Sequence, residues 1–278
     1  MDITIFPHAL SGTVPAIPSK SHAHRLMICA AFADKPTTLL CRDTNQDIEA
    51  TAQCLRALGA EITRTDEGYR ILPIQQPPRT ATLPCGESGS TLRFLRPVAG
   101  ALGVDAAFRM EGRLSQRPLS PLWEEMERMG CRLTRPEKNT IRCEGKLRAG
   151  EYSIDGGVSS QYITGLMLGL SLLEDKSQLH ITSKLESAPY IRMTQKALAQ
   201  FSVDWNSLGG QCFHSPGTLQ VEGDWSNAAF FLAAKHLGQA VEVSGLSSDS
   251  PQGDKAVCEL LFLLSGKRIS IYNRGGEA

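Results

Sequence analysis

LRALGAEIT at residues 55–63 is followed by two related stretches in this 278-residue sequence, MERMGCRLT at 126–134 and LAQFSVDWN at 198–206. Gly59 lies 71 residues before Gly130, and Gly130 lies 72 residues before Ser202. Each stretch ends an amphipathic helix and enters a strand. The even spacing indicates a repeated module that holds several elements and is longer than the repeats of solenoid proteins.

A second helix is predicted upstream of each stretch. These helices are rich in Ala, Leu and Met, open at Ser, Thr or Gly, and occupy residues 21–34, 88–102 and 158–172. Short β-branched or alternating runs follow, such as TTLL, YRILPI, AAFRM, NTIRC and QLHIT. The sequence therefore predicts an α/β fold of repeated βαβαββ units, with three units over residues 19–221 forming one complete domain with three-fold pseudosymmetry.

The pattern restarts after Val221. We predict a helix at residues 225–237, a strand at 239–245, a helix at 252–264 and a strand at RISIY, 268–272. Residues 222–278 would be the first unit of a second, incomplete domain of the same kind. A piece of roughly 57 residues buries too little apolar surface to be securely stable alone.

Charge and hydrophobicity limit the classes of partner. The 29 basic and 29 acidic side chains cancel, so neither nucleic acid nor an anionic membrane is an expected partner, and any anion site is local. The first residues, MDITIFPHAL, and the longest apolar runs match neither a signal peptide nor a membrane span, so we expect a soluble protein. Eight single cysteines without a C-x-x-C pair are typical of buried thiols in a reducing cytoplasm.

Residues 17–25, IPSKSHAHR, place Lys20, Ser21 and Arg25 at a strand-to-helix junction. Arg25 is one turn beyond Ser21 on the same helix face. A lysine, a hydroxyl and an arginine beside the free N–H groups of a helix start suit a phosphate or a carboxylate. A serine-capped helix with solvated charges is the alternative interpretation.

Residues 85–93, CGESGSTLR, repeat this arrangement. Gly86 and Gly89 let the main chain approach a ligand, and Arg93 lies one turn into the helix. Glu87 argues against a simple phosphate cradle, and the G-x-x-x-x-G-K motif is absent from this segment. A turn followed by an N-cap is the alternative.

Three further segments carry candidate ligands at helix starts. In GRLSQRPL (112–119), Arg117 precedes Pro118, which suits the first turn of a helix, although a surface arginine is the alternative. GGVSSQYITG (156–165) offers neutral donors for a hydroxylated, phosphorylated ligand, and SAPYIRMT (187–194) begins another helix. The candidate residues in these two segments are Ser159, Ser160, Gln161, Ser187 and Tyr190, of which Tyr190 is equally compatible with the core.

All these motifs fall at equivalent helix starts. Pseudosymmetry therefore predicts that the amino ends of the helices gather around one opening, where their dipoles favour negative charge. Lys20, Arg25, Arg93 and Arg117 would then form a local anion site in a protein without net charge.

Taken in order, the motifs resemble those of the EPSP synthase family, the 3-phosphoshikimate 1-carboxyvinyltransferases. The similar segments are S-K-S-x-x-x-R at 19–25, G-x-S-G-S-T-x-R at 86–93, Q-R-P-L at 116–119, S-S-Q-Y at 159–162, S-A-P-Y at 187–190, V-E-G-D at 221–224 and S-P-Q-G-D at 250–254. The resemblance implies two inside-out α/β domains of three such units each, which close over the substrates. It also implies that residues 1–18 supply a strand to the second domain.

The resemblance implies transfer of the enolpyruvyl group of phosphoenolpyruvate to the 5-hydroxyl of shikimate 3-phosphate in aromatic amino-acid biosynthesis, without a metal or organic cofactor. Lys20, Arg93 and Arg117 would bind phosphoenolpyruvate beside a wall formed by Gly89 and Ser90, with Lys20 and Arg117 as catalytic residues. The residues implied to hold shikimate 3-phosphate are Ser21, Arg25, Ser159, Ser160, Gln161, Ser187 and Tyr190. Glu87 stands where many members have asparagine, which leaves the contact of that side chain open.

The family also uses an aspartate and a glutamate for proton transfer, a D-H-R-M-A segment and a late lysine, and this sequence shows no match to them. We therefore expect a chain truncated at its carboxyl end and no turnover by this chain alone. Two other hypotheses are a fragment that only binds shikimate 3-phosphate and a UDP-N-acetylglucosamine enolpyruvyl transferase, which S-S-Q-Y and Q-R-P-L disfavour. The full-length protein is expected to be a cytoplasmic monomer.

Overall fold

The computed structural model describes residue 4 and residues 8–265, with the side chain of Ser265 excepted. The chain divides into a large unit, residues 20–221, and a small unit, residues 1–19 with 222–278. Each unit has an apolar core of its own. The strand predicted at RISIY lies outside the described residues.

The elements alternate between helix and strand along most of the chain. The small unit begins with β1 (Ser11–Pro15). Repeat 1 comprises α1 (Lys20–Ala31), β2 (Thr37–Leu40), α2 (Gln46–Ala57), β3 (Glu61–Thr65), β4 (Gly68–Leu72) and β5 (Thr80–Gly86). Repeat 2 comprises α3 (Gly89–Leu102), β6 (Asp105–Met110), α4 (Leu122–Arg128), β7 (Cys131–Glu137), β8 (Thr140–Gly145) and β9 (Glu151–Ile154). Repeat 3 comprises α5 (Ser160–Leu170), β10 (Gln178–Ile181), α6 (Ala188–Gln200) and β11 (Thr218–Gln220).

The first helix of each repeat lies inside the large unit. Nearly every residue of α1, α3 and α5 is buried, as their Ala, Gly, Leu and Met content requires. The second helix of each repeat is amphipathic and keeps a polar face toward solvent, as the acidic first turn of α2 illustrates. Residues of β2 and β6 alternate in burial, so one face of each sheet covers the inner helices.

Strand exchange between repeats completes the three sheets. The last strand of each repeat pairs in parallel with the first strand of another: β5 with β6, β9 with β10 and β11 with β2. In the first two sheets an antiparallel hairpin, β3–β4 or β7–β8, fills the remaining positions. The pairings therefore link the three repeats in a closed ring.

Repeat 3 lacks this hairpin, so the strand predicted within LAQFSVDWN is wrong. Residues 203–213 form turns, and an isolated antiparallel bridge joins Leu208 to Ser177 at the start of β10. The chain is shorter here: the first residue of the next helix comes 30 residues after the end of the second helix in repeat 1 (Gly59 to Gly89), 30 in repeat 2 (Gly130 to Ser160) and 23 in repeat 3 (Ser202 to Trp225). The seven missing residues are about the length of one strand and its turn.

The repeated Leu–Gly signal marks a left-handed turn at the end of each second helix. Gly59 has φ of 107° and Gly130 has φ of 113°, and Ser202 takes the same place with φ of 61°. Main-chain bonds from Ala60 to Leu55 and from Val203 to Leu198, both of 3.0 Å, close the turn. Among the described residues, Ser202 alone adopts positive φ without being glycine.

Two glycines let α5 pack closely on α3. A methyl group at Gly165 would lie 2.3 Å from the carbonyl oxygen of Arg93, and one at Gly169 would lie 2.7 Å from the carbonyl carbon of Pro97. Because Pro97 has no N–H, it leaves the Arg93 carbonyl without its usual helical donor. The close approach brings the starts of α3 and α5 together.

The helix predicted to start at Pro118 begins later. Residues Leu114–Gln116 form a 3-10 turn, and α4 starts at Leu122 behind Pro121. A residue that precedes proline is biased away from helical backbone, so Ser120 cannot continue α4 toward Pro118. Arg117 therefore lies in a loop with extended backbone.

The small unit contains α7 (Trp225–His236), β12 (Ala240–Ser244) and α8 (Val257–Ser265), and β1 pairs in parallel with β12. Asp224 caps α7 by accepting the N–H of Asn227 at 2.7 Å. The helix predicted at 252–264 is split into a 3-10 turn, Gly253–Ala256, and α8. Among the described residues, no helix has the length and hydrophobicity needed to cross a membrane.

Candidate functional site

The starts of the inner helices meet at one end of the large unit. Between α3 and α5, the Gln161 side-chain amide donates to Ser90 Oγ at 3.1 Å. Between α3 and α2, Thr91 Oγ1 lies 3.5 Å from the carbonyl oxygen of Asp47. Asp47 in turn pairs with Lys20 of α1. The structure thus brings the predicted lysine, serine and glutamine motifs to one opening.

Lys20 is the first residue of α1 and is held by a carboxylate. Its Nζ lies 2.7 Å from Asp47 Oδ2, and its side chain is 45% exposed. Asp47 lies in the first turn of α2, which Asn45 caps by accepting the Ile48 N–H at 3.0 Å. The sequence gave no sign of this pair, because an acidic residue in a first helical turn is common for helix-dipole reasons alone.

Arg93 is oriented by two residues of α5. Its Nη1 donates to Gln161 Oε1 at 2.6 Å, and its Cζ lies 5.7 Å from the centre of the Tyr162 ring. Tyr162 donates its hydroxyl to the carbonyl oxygen of Pro118 at 2.6 Å. The side chain of Arg93 is therefore fixed between α3, α5 and the loop that carries Arg117.

Two guanidinium groups converge over Gly89, the first residue of α3. A methyl group there would lie 2.8 Å from Arg93 Nη1 and 3.0 Å from Arg117 Nη1. Ser88 caps the helix by accepting the Thr91 N–H at 3.3 Å. Like charges this close repel one another unless an anion lies between or beside them. This corner of the opening therefore suits a phosphate or a carboxylate.

Arg25 is buried and bound mainly by the protein itself. Nε donates to Thr194 Oγ1 at 2.8 Å, Nη1 to the Ser21 carbonyl at 2.5 Å, and Nη2 to Thr164 Oγ1 at 3.2 Å and the Tyr190 carbonyl at 3.1 Å. Burial lowers the pKa of Arg25 to about 9. Its guanidinium thus ties α1 to α5 and α6 beneath Ser21 and Tyr190. Thr164 and Thr194 were not predicted, since their role depends on how the helices cross.

The remaining predicted residues lie at the starts of α5 and α6. Ser159 caps α5 by accepting the Gln161 N–H at 3.3 Å, and Ser160 is its first, buried residue. Ser187 precedes α6 without a capping hydrogen bond, and Tyr190 is 36% exposed in the first turn. Tyr190 is therefore a surface residue of the opening rather than part of the core.

Glu87 points away from the α3 start, toward a glycine in the Arg117 loop. Its Oε1 accepts the N–H of Arg113 at 3.3 Å. A methyl group at Gly112 would lie 1.2 Å from the same oxygen, so the carboxylate occupies space that only glycine leaves open. The acidic side chain thus supports the loop.

A buried chain of neutral hydrogen bonds lies under the α3 start. His24 Nδ1 and Thr51 Oγ1 are 2.6 Å apart, Thr51 and Thr91 are 2.7 Å apart, and Thr91 donates to Ser88 Oγ at 2.7 Å. Burial lowers the pKa of His24 to about 3, so its ring is neutral at physiological pH. Among the described residues, no cluster of three or more His, Cys, Asp or Glu side chains could hold a metal ion.

Arg96, one turn beyond Arg93, is also fully buried. Within the described part of the chain, none of its three side-chain nitrogens has a hydrogen-bond partner. Burial lowers its pKa to about 10. All eight cysteines are described and free, and six of them are buried.

Comparisons with known proteins agree on one family. The family model described as EPSP synthase (3-phosphoshikimate 1-carboxyvinyltransferase) matches residues 6–268. A curated 3-phosphoshikimate 1-carboxyvinyltransferase of Clostridium beijerinckii is 36% identical over 276 residues, which cover 94% of this chain and 63% of that relative. One from Clostridium botulinum (strain Alaska E43 / Type E3) is 37% identical over 284 residues, which cover 97% of this chain and 65% of that relative. The chain thus spans just under two thirds of the length of these relatives.

Solved structures share the fold at low sequence identity. An EPSP synthase from Acinetobacter baumannii superposes with a TM-score of 0.73 at 22% identity, covering 90% of this chain and 58% of that one. The enolpyruvyl transferase NikO from Streptomyces tendae gives a TM-score of 0.66 at 17% identity, covering 92% of this chain and 62% of that one. The predicted inside-out α/β fold of repeated units is confirmed by these likenesses.

Proposed function

Because the chain belongs to the EPSP synthase family, we propose that the protein transfers the enolpyruvyl group of phosphoenolpyruvate to the 5-hydroxyl of shikimate 3-phosphate and releases phosphate. The observation that carries this proposal is the convergence of Arg93 and Arg117 over Gly89, beside the neutral donors Ser90 and Gln161. Both substrates carry a phosphate and a carboxylate, which such a combination binds well.

Lys20, Arg93 and Arg117 bind phosphoenolpyruvate in this proposal. The 5-hydroxyl adds to C2 while C3 accepts a proton, and phosphate then leaves from the tetrahedral intermediate. The three cations stabilise the negative charge that remains on phosphate and carboxylate through these steps. Free main-chain N–H groups of Gly89 and Ser90 add donors at the same corner.

Shikimate 3-phosphate is held by neutral donors of repeat 3 together with the α1 start. The proposed residues are Ser21, Arg25, Ser159, Ser160, Gln161, Ser187 and Tyr190. Gln161 contacts both Ser90 and Arg93, so it connects the two substrate positions. Arg25 acts mainly by positioning, since most of its donors already bond protein oxygens.

Titration calorimetry on the 278-residue chain tests the binding half of the proposal. We expect saturable one-to-one binding of shikimate 3-phosphate that Gln161→Ala weakens and Gln53→Ala, an exposed position on α2, leaves unchanged. Preference for UDP-N-acetylglucosamine, or no saturable heat with either compound, contradicts it. A phosphate-release assay with both substrates then decides between complete transfer and binding alone.

Arg117→Ala tests the phosphoenolpyruvate contact. We expect a loss of about 100-fold or more in phosphoenolpyruvate binding or use with the fold intact, because Arg117 is exposed and its removal opens no cavity. Arg113→Ala removes an exposed arginine from the same loop and is the matched control. Equal effects of the two variants, or no effect of Arg117→Ala, contradict the assignment.

We further infer that residues 1–18 and 222–278 belong to a second domain of the same construction. The parallel pairing of β1 with β12 beside α7 and α8 supports this reading. The full-length protein acts as a cytoplasmic monomer in this proposal. Sedimentation of the full-length protein at several concentrations tests that part, and a concentration-dependent dimer contradicts it.

A further inference from the structure

The missing hairpin of repeat 3 leaves one edge of β10 open. The β9–β10 pairing uses the N–H groups of Gln178 and Thr182, which donate to Gly150 and Ile154 carbonyls at 3.0 Å each. Because main-chain groups alternate between the two edges of a strand, those of Leu179 and Ile181 face the other side. In the part of the chain that the structure describes, that edge is bridged only at Ser177, by Leu208.

A cavity of about 360 Å³ lies beside this edge. Its lining comes from α5, α6, β10 and the loop of repeat 3, and includes Ile163, Met167, Ile191, Gln195, Trp205 and Asn206. In repeats 1 and 2 the corresponding edges of β2 and β6 are covered by β4 and β8. The cavity therefore lies where the other repeats place a strand of their own.

Burial shows what the missing strand would have covered. Leu39 of β2 and Phe108 of β6 are fully buried under their hairpins. In repeat 3, Ile181 of β10 is 39% exposed and Trp205 is 38% exposed. An apolar strand edge of this kind is a template for pairing with another extended chain.

The lining chemistry selects the kind of chain. None of the residues that line the cavity is Asp, Glu, Lys or Arg, so the site offers no ionic partner to a phosphorylated or strongly charged ligand. It combines apolar side chains with the amides of Gln195 and Asn206 and the main-chain groups of Leu179 and Ile181. This set is complementary to an uncharged peptide main chain that carries an apolar side chain.

We propose that the open edge of β10 binds an uncharged peptide segment in extended conformation, antiparallel to β10, with one aromatic or branched apolar side chain in the cavity. The protein contains two examples of this arrangement. Tyr69 and Ile71 of β4, and Ile141 and Cys143 of β8, are fully buried on strands antiparallel to β2 and β6. The inference is independent of the proposed enzymatic function and requires neither of its substrates.

A capped peptide patterned on β4 is the probe. The sequence Gly-Tyr-Thr-Ile-Leu follows Gly68–Leu72 with threonine in place of Arg70, which makes it uncharged. Titrated into the isotope-labelled 278-residue chain, it is expected to shift the Leu179 and Ile181 amide signals saturably and to slow their hydrogen exchange. The same peptide N-methylated at Tyr and Thr loses a ladder donor in either register and is expected not to bind.

A cavity-filling variant locates the site. Gln195→Trp places a large ring in the cavity from α6 and is expected to weaken peptide binding about tenfold or more, the size of effect for one displaced buried side chain. Ala199→Trp adds the same ring on the exposed face of α6 and is expected to leave binding unchanged.

Three results overturn the proposal. They are the absence of saturable shifts at millimolar peptide, equal binding of the N-methylated peptide, and equal loss in the two tryptophan variants. Sedimentation that shows dimers of the chain, abolished by Gln195→Trp but not by Ala199→Trp, would assign the edge to a second copy of the protein instead. None of these results depends on shikimate 3-phosphate or phosphoenolpyruvate, so failure here leaves the proposed function untouched.

Discussion

Repeats 1 and 2 cover with a hairpin the sheet edge that repeat 3 leaves open, and the two kinds of repeat also contribute differently to the candidate site. Lys20, Arg93 and Arg117 come from repeats 1 and 2, whereas Ser159, Ser160 and Gln161 of repeat 3 are neutral. The inner helices and their packing are alike in all three. The shared helix core is thus sufficient to position the site, and the outer sheet is free to vary.

The largest expected effect comes from breaking a hairpin that is present. Gly68→Ala places a methyl group 1.9 Å from the Leu39 carbonyl oxygen and 2.5 Å from the Cys41 nitrogen, both main-chain atoms that cannot move aside. We expect the free energy of unfolding to fall by about 3 kcal/mol or more. Urea unfolding followed by circular dichroism measures it.

Gly217→Ala, in the shortened segment of repeat 3, is the matched control. Its φ of 84° imposes strain, but the methyl group has no atom within 4 Å. We expect a loss of only about 1 kcal/mol. Similar losses for the two variants would show that the hairpin of repeat 1 is no more constrained than the loop that replaces it.

The second expected effect separates charged from neutral donors. Arg93→Met should weaken phosphoenolpyruvate binding about 100-fold and reduce its dependence on salt, because a charge is lost. Gln161→Ala should weaken shikimate 3-phosphate binding about tenfold and leave the salt dependence unchanged. Calorimetric titrations at two salt concentrations measure both quantities, and equal salt dependence of the two variants would contradict the division between repeats.

The third expected effect concerns the two buried arginines of the inner helices. Arg25 in repeat 1 is satisfied by hydrogen bonds, whereas Arg96 in repeat 2, within the described residues, has no hydrogen-bond partner for its guanidinium. Arg96→Met should therefore raise the free energy of unfolding by about 2 kcal/mol. Arg25→Met should lower it by a similar amount, and urea unfolding distinguishes the signs. A loss of stability in both variants would imply that Arg96 has a partner in solution.

The smallest expected effect compares the turns that end the second helices. Ser202→Gly should raise the free energy of unfolding by about 1 kcal/mol, because positive φ is strained for serine and not for glycine. Gly130→Ala is the reverse change, and its methyl group would lie 2.7 Å from the Lys146 carbonyl oxygen. Thermal unfolding should move in opposite directions for the two variants, and a shared direction would contradict this account of the repeat.

Much of this fold follows from local sequence. The run TTLL is β2, and the helices predicted at 21–34 and 88–102 begin within a residue of α1 and α3. The missing hairpin escaped prediction because the segment after Ser202 alternates apolar and polar residues as a strand does. Its absence shows only in the interval to Trp225, which has meaning once the ends of the helices are known.

The site was predicted in outline and missed in its supports. Cations and hydroxyls at helix starts are visible in the sequence, and the structure brings Arg93, Ser90 and Gln161 into direct contact. Asp47, Thr164 and Thr194 were missed because they lie on other helices. Their contacts depend on crossing angles and on the close packing at Gly165, which no local pattern reports.

The closing strand pair has a consequence for synthesis. β11 completes the sheet of repeat 1, with Thr218 opposite Thr38, a partner made 180 residues earlier. At about 5–20 residues per second the ribosome needs roughly 9 to 36 s to supply it. During that time the nascent chain carries an unfinished β2 edge, and early emergence of repeat 1 cannot by itself produce a native sheet. Chaperone dependence of the newborn polypeptide should accordingly end only after residue 220 has left the exit tunnel.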